Sequence, residues 1–202
     1  MPDKIRWGIL ATGAIAKKFA EGLAVLPDAE LVAVGSRSQA SADAFGDTYK
    51  VPHRHASYEA LANDPDVDVI YVATPHSMHK ECAILCLNAG KHVLCEKPFA
   101  RTAAQAREMA AVARETGRVL MPAMCLRFLP EWVWVKAAIA DGRFGKVLAA
   151  RFRRVAEPPG WGQQNFLDGV KSGGALLDLH VHDTDFVQFC FGRPRAVRSA
   201  GY

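Results

Sequence analysis

A lysine at a strand end and a histidine near an aspartate are the side chains of this sequence best suited to acid–base chemistry. Lys97 follows the apolar run of "KHVLCEKP", where a charged amine is costly unless a ligand or solvent uses it. His182 lies four residues after Asp178, so on one helix both would face the same side. An imidazole titrates near neutral pH and can take a hydroxyl proton, while an ammonium can stabilise an alkoxide. Each group also has an ordinary explanation, as a lysine reaching water from a strand end or a histidine held by an aspartate.

A metal centre is the other chemistry that this region could support. Asp178, His180 and His182 combine a carboxylate with two imidazoles, a set that suits zinc or iron. Positions 180 and 182 would lie on nearly opposite sides of a helix, and no further ligand is obvious nearby. The sequence therefore predicts no metal site here.

A glycine-containing turn follows the first apolar run of the chain. In "GILATGAIA", Ala11 takes the place of the first glycine of a G-x-G-x-x-G/A dinucleotide fingerprint, Gly13 is the second glycine and Ala16 the third small residue. Gly13 would let a pyrophosphate approach the backbone at a helix N-terminus. A tight turn that binds nothing fits this motif equally well. The predicted cofactor contacts of the turn are Gly8, Ala11, Thr12, Gly13, Ala14 and Ile15.

The end of the second apolar run bears on the choice of nucleotide. NAD-specific sites usually place a carboxylate there, whereas this chain has Ser36, Arg37 and Ser38. Two hydroxyls that flank a guanidinium suit a 2′-phosphate, because arginine binds phosphate oxygens bidentately. The sequence favours NADP, with NAD as the alternative, although Arg37 taken alone resembles an ordinary surface arginine.

Apolar runs of strand length alternate with helical patterns up to residue 123. This alternation predicts an α/β fold, a doubly wound parallel sheet of the Rossmann type in domain 1–123. In a second, partial α/β domain, 124–202, we expect a strand at 146–156, a helix at 175–192 and the start of a strand at 194–202. A stable sheet needs three or more strands. We therefore expect that the chain is a fragment, or that a partner supplies the missing strands.

Composition excludes several other classes of protein. Of 202 residues 50% are hydrophobic and 23% are charged, the balance of a soluble globular protein. The net charge of +4 is scattered, without the basic run of a nucleic-acid-binding tail. No run is long enough for a membrane span and no signal peptide is recognisable, so we expect a cytoplasmic location without membrane or nucleic-acid partners. Five cysteines within apolar segments favour buried free thiols over disulfides.

Four motifs in this order give the sequence a family resemblance. The glycine turn, "ATPHSMH", "GKHVLCEKP" and "GGALLDLHVHDTDF" resemble the Gfo/Idh/MocA family of NAD(P)-dependent oxidoreductases. The resemblance implies hydride transfer between NADP(H) and a secondary alcohol or carbonyl of a sugar, cyclitol or related diol. It also implies a Rossmann domain, a C-terminal α/β domain with a large open sheet, and a homodimer or homotetramer. This chain departs from the family at Ala11, at His180, where a glycine is common, and by stopping soon after the Asp/His helix.

The same resemblance assigns roles to individual residues. Lys97 would contact the substrate hydroxyl and the nicotinamide ribose, His182 would act as general base, and Asp178 would bind a second hydroxyl or hold the imidazole. Further cofactor contacts would come from Thr74, Pro75, His76, His79 and Glu96, and further substrate contacts from Arg127 and Trp161.

Two other functions remain open at this point. A non-catalytic nucleotide-sensing or scaffold protein could keep the fold, although Lys97, Asp178 and His182 together argue against it. A fragment could also bind the cofactor with its Rossmann half while its active site needs residues found elsewhere.

Overall fold

The computed structural model describes residues 4–155, 157 and 168–200. The chain divides into two compact units, Met1–Ala123 and Met124–Tyr202. Within the described residues, no helix combines the length and the apolar character needed to cross a membrane.

The first unit is built on a sheet of six parallel strands. The strand order is β3-β2-β1-β4-β5-β6, so the chain starts in the middle of the sheet and winds outwards in both directions. The strands are β1 (Ile5–Leu10), β2 (Ala29–Gly35), β3 (His53–His55), β4 (Val69–Val72), β5 (His92–Cys95) and β6 (Leu120–Pro122). The helices are α1 (Ala14–Leu23), α2 (Gln39–Tyr49), α3 (Tyr58–Ala62), α4 (His79–Asn88) and α5 (Ala103–Thr116). The predicted doubly wound fold is confirmed.

The strands are apolar because helices cover both faces of the sheet. Ile9 and Leu10 are neighbours in β1, and both have no exposed surface. Ile9 packs in a cluster with Val34 and Phe45, whereas Leu10 packs in a separate cluster with residues that include Leu87. Consecutive residues of β1 therefore point to opposite faces of the sheet and pack in two separate cores, one on each face.

Helix boundaries of this unit follow local signals that are visible in the sequence. Ser57 caps α3 by accepting a hydrogen bond from the Ala60 amide at 3.0 Å. Gly117 ends α5 in the left-handed conformation, with φ 65°, which glycine adopts without steric cost. Serine before a helix and glycine after one are the usual sequence signals of these two boundaries.

The second unit is helical within its described part. Its helices are α6 (Pro130–Ala140), α7 (Gly169–Ser172), α8 (Gly174–Asp178) and α9 (Val181–Phe191), preceded by a 3₁₀ turn, Cys125–Phe128. Phe186 of α9 is 1% exposed, and its ring meets Trp132 of α6 edge to face at a centroid distance of 4.7 Å. Aromatic packing of this kind is the core of the unit.

Three predictions for the second unit are wrong. Residues 146–155 form no strand, and neither do residues 194–200, the described part of the other predicted strand. Burial still alternates along residues 151–155, where Phe152 and Arg154 are half-buried between exposed residues. A strand also needs a hydrogen-bonded neighbour, and the described residues of this unit contain no strand that could pair with this segment. The predicted helix at 175–192 is two helices, because the regular hydrogen-bond pattern is interrupted at Leu179 and His180, where the His180 amide donates to the Ala175 carbonyl at 3.3 Å.

The five cysteines are free, as the sequence predicts. Cys82, Cys86 and Cys95 are buried, and burial raises the pKa of Cys82 to about 11. Cys125 is exposed, contrary to the prediction that the thiols are buried. The three buried thiols behave as small apolar side chains.

Candidate active site

Four of the predicted cofactor segments lie at one edge of the sheet. All strands are parallel, so their carboxyl ends meet at the same edge. Residues 11–13 follow β1, 36–38 follow β2, 74–76 follow β4, and 96–97 follow β5. The strand order reverses between β1 and β4, the position at which doubly wound sheets open a ligand crevice.

Ala11 begins the turn after β1 in a conformation that favours glycine. Its φ is 88°, and its amide donates to the Gly35 carbonyl at 2.8 Å. A Cβ at positive φ is sterically strained, which gives a physical reason for the glycine of the usual fingerprint. The alanine therefore keeps the geometry of the turn with some strain in the backbone.

Gly13 caps α1, and nothing within the protein itself requires a glycine there. Its φ of −72° suits any residue, and a Cβ built on Gly13 would meet no atom within 4 Å. The first turn of α1 has no side-chain cap and no acidic residue, while Gly13 and Ala14 are exposed. Amides of a helix N-terminus thus face open space, which fits the approach of a pyrophosphate.

The segment after β2 presents an exposed cation. Ser36 is 8% exposed, and its amide donates to the His55 carbonyl at 3.0 Å. Arg37 is exposed and lies beside the Tyr58 hydroxyl; burial raises the pKa of Tyr58, and Arg37 partly opposes this shift. Ser38 caps α2 by accepting from the Ser41 amide at 3.4 Å. Arg37 therefore directly precedes the N-cap of α2, and a cation and a helix N-terminus can both attract a phosphate.

Glu96 and Tyr71 hold the backbone at Lys97. The Tyr71 hydroxyl donates to one carboxylate oxygen of Glu96, and the Lys97 amide donates to the other at 2.9 Å. Tyr71 is 2% exposed and stacks on Phe19 with ring centroids 3.8 Å apart. The peptide bond between Lys97 and Pro98 is cis. Sequence reasoning missed Tyr71, whose signal is the single hydroxyl in the apolar run "VIYVA".

His79 ties two of the strand-end loops together. The imidazole is fully buried, with Nδ1 at 2.8 Å from the Pro98 carbonyl oxygen and Nε2 at 2.9 Å from the Thr74 carbonyl oxygen. Burial lowers the pKa of His79, and the two backbone carbonyls oppose that shift. Both ring nitrogens are therefore engaged, so the geometry gives His79 a positioning role at the site. His76 packs edge to face against it at 5.6 Å and is half-buried.

Asp178 and His182 belong to different helices of the second unit. Asp178 ends α8, and His182 lies in the first turn of α9 after the turn at Leu179 and His180. The prediction that one continuous helix carries both residues is therefore wrong. His180 Nδ1 lies 3.1 Å from a carboxylate oxygen of Asp183, which is 6% exposed.

Arg127 forms an ion pair with Asp185 of its own unit. Its Nε and one Nη donate to the two carboxylate oxygens of Asp185 at 2.8 and 2.5 Å. These hydrogen bonds raise the pKa of Arg127, and its guanidinium also lies 4.7 Å from the centre of the Phe189 ring. Substrate binding by Arg127 would compete with this pair. Trp161 lies outside the described residues.

Comparisons with known proteins agree with the Rossmann fold of the first unit. Residues 5–124 match the family model described as "Oxidoreductase family, NAD-binding Rossmann fold", and residues 132–202 match the GFO/IDH/MocA C-terminal domain. Trans-1,2-dihydrobenzene-1,2-diol dehydrogenase of Mus musculus is 38% identical over 207 residues, covering 98% of this chain and 60% of the relative.

Two solved structures are also similar. A 3-ketoreductase from Actinomadura kijaniata, solved with TDP-benzene and NADP, is 31% identical with a TM-score of 0.79, covering 94% of this chain and 57% of that one. A putative myo-inositol dehydrogenase from Sinorhizobium meliloti is 31% identical with a TM-score of 0.80, covering 95% and 56%. This chain therefore spans less than two thirds of the length of these relatives. The chain belongs to the Gfo/Idh/MocA family of oxidoreductases.

Proposed function

We propose that this protein transfers a hydride between NADP(H) and a secondary alcohol or carbonyl of a cyclic diol, cyclitol or sugar. The observation that carries the proposal is the open turn at Gly13, where uncapped helix amides lie at the switch point of the sheet. Lys97 follows β5 at the same edge. Relatives named as a diol dehydrogenase and a 3-ketoreductase support the substrate class.

Arg37 supports NADP as the preferred nucleotide. It is exposed at the end of β2, where NAD-specific Rossmann domains usually place a carboxylate. A carboxylate would repel a 2′-phosphate, whereas a guanidinium attracts it. The similar 3-ketoreductase structure contains NADP.

The chain's own residues would bind the reactants and handle the proton. Bound nicotinamide supplies the hydride acceptor or donor. We assign to Lys97 the stabilisation of negative charge on the reacting oxygen, and to His182 the exchange of the hydroxyl proton. Asp178 would bind a second substrate hydroxyl or orient the imidazole of His182. Tyr71, Glu96 and His79 hold the backbone that carries Lys97, so the base of the lysine side chain is fixed before substrate binds.

Nucleotide titration tests the cofactor half of this proposal. Fluorescence titration with NADPH and NADH should show tighter binding of NADPH. Arg37→Gln should weaken NADPH about tenfold or more and leave NADH unchanged, because only the 2′-phosphate contact is lost. Arg107→Gln, which removes another exposed arginine of the same unit, is the matched control. Tighter NADH binding would contradict the assignment of Arg37, and failure to bind either nucleotide would refute the proposal.

A substrate screen tests the catalytic half. Cyclic trans-diols, inositols and sugars are incubated with the full-length protein and NADP, and NADPH formation is followed by absorbance. We expect turnover of at least one of these polyols. Tight nucleotide binding without turnover of any of them would favour the non-catalytic alternative.

A further inference from the structure

A cluster of two histidines and an aspartate shares no residue with the predicted cofactor and substrate sites. His53 and His55 belong to β3, the edge strand of the sheet, and their spacing of two places them on the same side of it. Asp64 follows α3. One carboxylate oxygen of Asp64 lies 2.8 Å from His53 Nδ1 and 2.8 Å from His55 Nε2, and these three ligand atoms lie within 4.8 Å of one another.

The aspartate of this cluster is buried on a fixed loop. The Asp64 side chain is 3% exposed, and its second carboxylate oxygen accepts from the Asp66 amide at 2.9 Å. The buried Lys91 amine donates to the carbonyls of Asp64 and Val67 at 2.5 and 2.7 Å. Backbone and carboxylate are thus held in place from both sides.

The two imidazoles lie on the solvent side of the cluster. The side chains of His53 and His55 are 38% and 24% exposed, which gives a small ion a route to the three ligand atoms. A second carboxylate stands behind His53. His53 Nε2 lies 3.9 Å from one carboxylate oxygen of Asp66. The other oxygen of Asp66 lies 3.1 Å from an Nη of Arg6.

This outer carboxylate has a specific role if Nδ1 of His53 becomes a ligand. The proton of the neutral imidazole then sits on Nε2, which faces Asp66. Histidines that bind metals commonly donate their other N–H to a carboxylate, which fixes the ring and raises its basicity. The Asp66 carboxylate is placed to accept a hydrogen bond from the Nε2–H of His53, directly or through one water.

We propose that His53, His55 and Asp64 form a binding site for a divalent transition metal ion, with Zn²⁺ as its best match. Two neutral imidazoles and one carboxylate are a common ligand set for zinc, and exposure of the rings leaves a fourth position for water. Tetrahedral zinc spaces its ligand atoms about 3.3 Å apart. The two 2.8 Å contacts would therefore open by about 0.5 Å, and the two ring nitrogens, which lie within 4.8 Å of each other, would reach the same spacing through rotations of the exposed rings. The ion would link the edge strand β3, through His53 and His55, to the loop before β4, through Asp64.

Cobalt and zinc titrations of the full chain test this site. The protein is first stripped with EDTA and dialysed, then titrated with Co²⁺ while visible absorption is recorded. One equivalent of Co²⁺ should give the intense absorption of a four-coordinate site, and Zn²⁺ should abolish it. Zn²⁺ at 100 times its Kd should raise the Tm by about 5–10 °C, and EDTA should reverse the rise.

Matched variants distinguish the cluster from other sites. His55→Gln and Asp64→Asn should each weaken binding at least about 100-fold, since each removes a direct ligand, and Asp66→Asn should weaken it about tenfold. His92→Gln, at a histidine of the same unit whose Nδ1 accepts from the Val119 amide, should bind as the unaltered protein does.

Two results would overturn the proposal. One is an unaltered protein that gives neither the cobalt absorption nor the Tm rise, since the cluster would then be a hydrogen-bonded contact alone. The other is a His55→Gln variant that binds as tightly as the unaltered protein, which would place the metal elsewhere. If Asp64→Asn fails to fold, metal binding by the unaltered protein and by His55→Gln, whose original side chain is 24% exposed, still tests the proposal.

Discussion

Replacing Gly13 with alanine separates cofactor binding from folding. A Cβ at position 13 would meet no atom of the protein within 4 Å, and φ of −72° is normal for alanine. Alanine is a poorer N-cap than glycine by about 0.5–1 kcal/mol. It also restricts the unfolded chain, which returns about 0.4–1 kcal/mol. We therefore expect the free energy of unfolding to change by less than about 0.5 kcal/mol.

Nucleotide affinity should respond differently, because the new methyl group occupies the side from which a pyrophosphate approaches the backbone. Losing one hydrogen bond between an amide and a charged phosphate removes about 1.5–3 kcal/mol. That loss corresponds to a rise in the Kd for NADPH of about 10- to 150-fold.

The assay combines urea unfolding with NADPH fluorescence titration of the same preparations. Gly22→Ala is the control, because Gly22 is also exposed in α1 with no atom within 4 Å of a built Cβ. That control should keep its affinity and gain up to about 1 kcal/mol of stability. Unchanged NADPH affinity in Gly13→Ala would refute the placement of the pyrophosphate at this turn.

Three further substitutions test the structure of the first unit. Ala11→Gly should stabilise the protein by about 0.5–1 kcal/mol in urea unfolding, because relief of positive-φ strain exceeds the added freedom of the unfolded chain. His79→Ala should destabilise it by about 2–4 kcal/mol and weaken NADPH binding, because a buried ring is lost together with its contacts to the Pro98 and Thr74 carbonyls. Hydrogen bonds from Arg6 lower the pKa of Asp68, so that pair stabilises the fold above about pH 4 and loses its effect as the pH falls through the lowered pKa. Asp68→Asn should therefore lower the Tm at pH 7, and thermal melts from pH 7 to pH 2 should show the difference from the unaltered protein disappearing at the acid end.

The first unit was predictable because its signals are local. The apolar runs of β1 and β4 are strands that end in fully buried residues, and helix ends such as Ser57 and Gly117 carry their own capping chemistry. The carboxyl ends of parallel strands share one edge, so Gly13 and Lys97 could be placed at that edge from strand order alone.

The second unit was less predictable because its structure depends on pairing. Residues 151–155 alternate in burial as a strand does, but a strand also needs a hydrogen-bonded neighbour, which a sequence pattern does not specify. The break at Leu179 and His180 carries no glycine or proline to mark it. Contacts such as Tyr71 with Glu96, 25 residues apart, also required the folded structure.

The test that bears most directly on the proposed chemistry is the rate of hydride transfer by a Lys97→Met variant of the full-length protein. Methionine keeps the length and apolar stem of lysine but removes the charge that would stabilise the reacting oxygen. Transfer of deuterium from a labelled diol to NADP should fall about 100-fold or more, because the negative charge on the reacting oxygen is no longer stabilised. A variant that transfers deuterium at the rate of the unaltered protein would show that Lys97 has no part in the reaction.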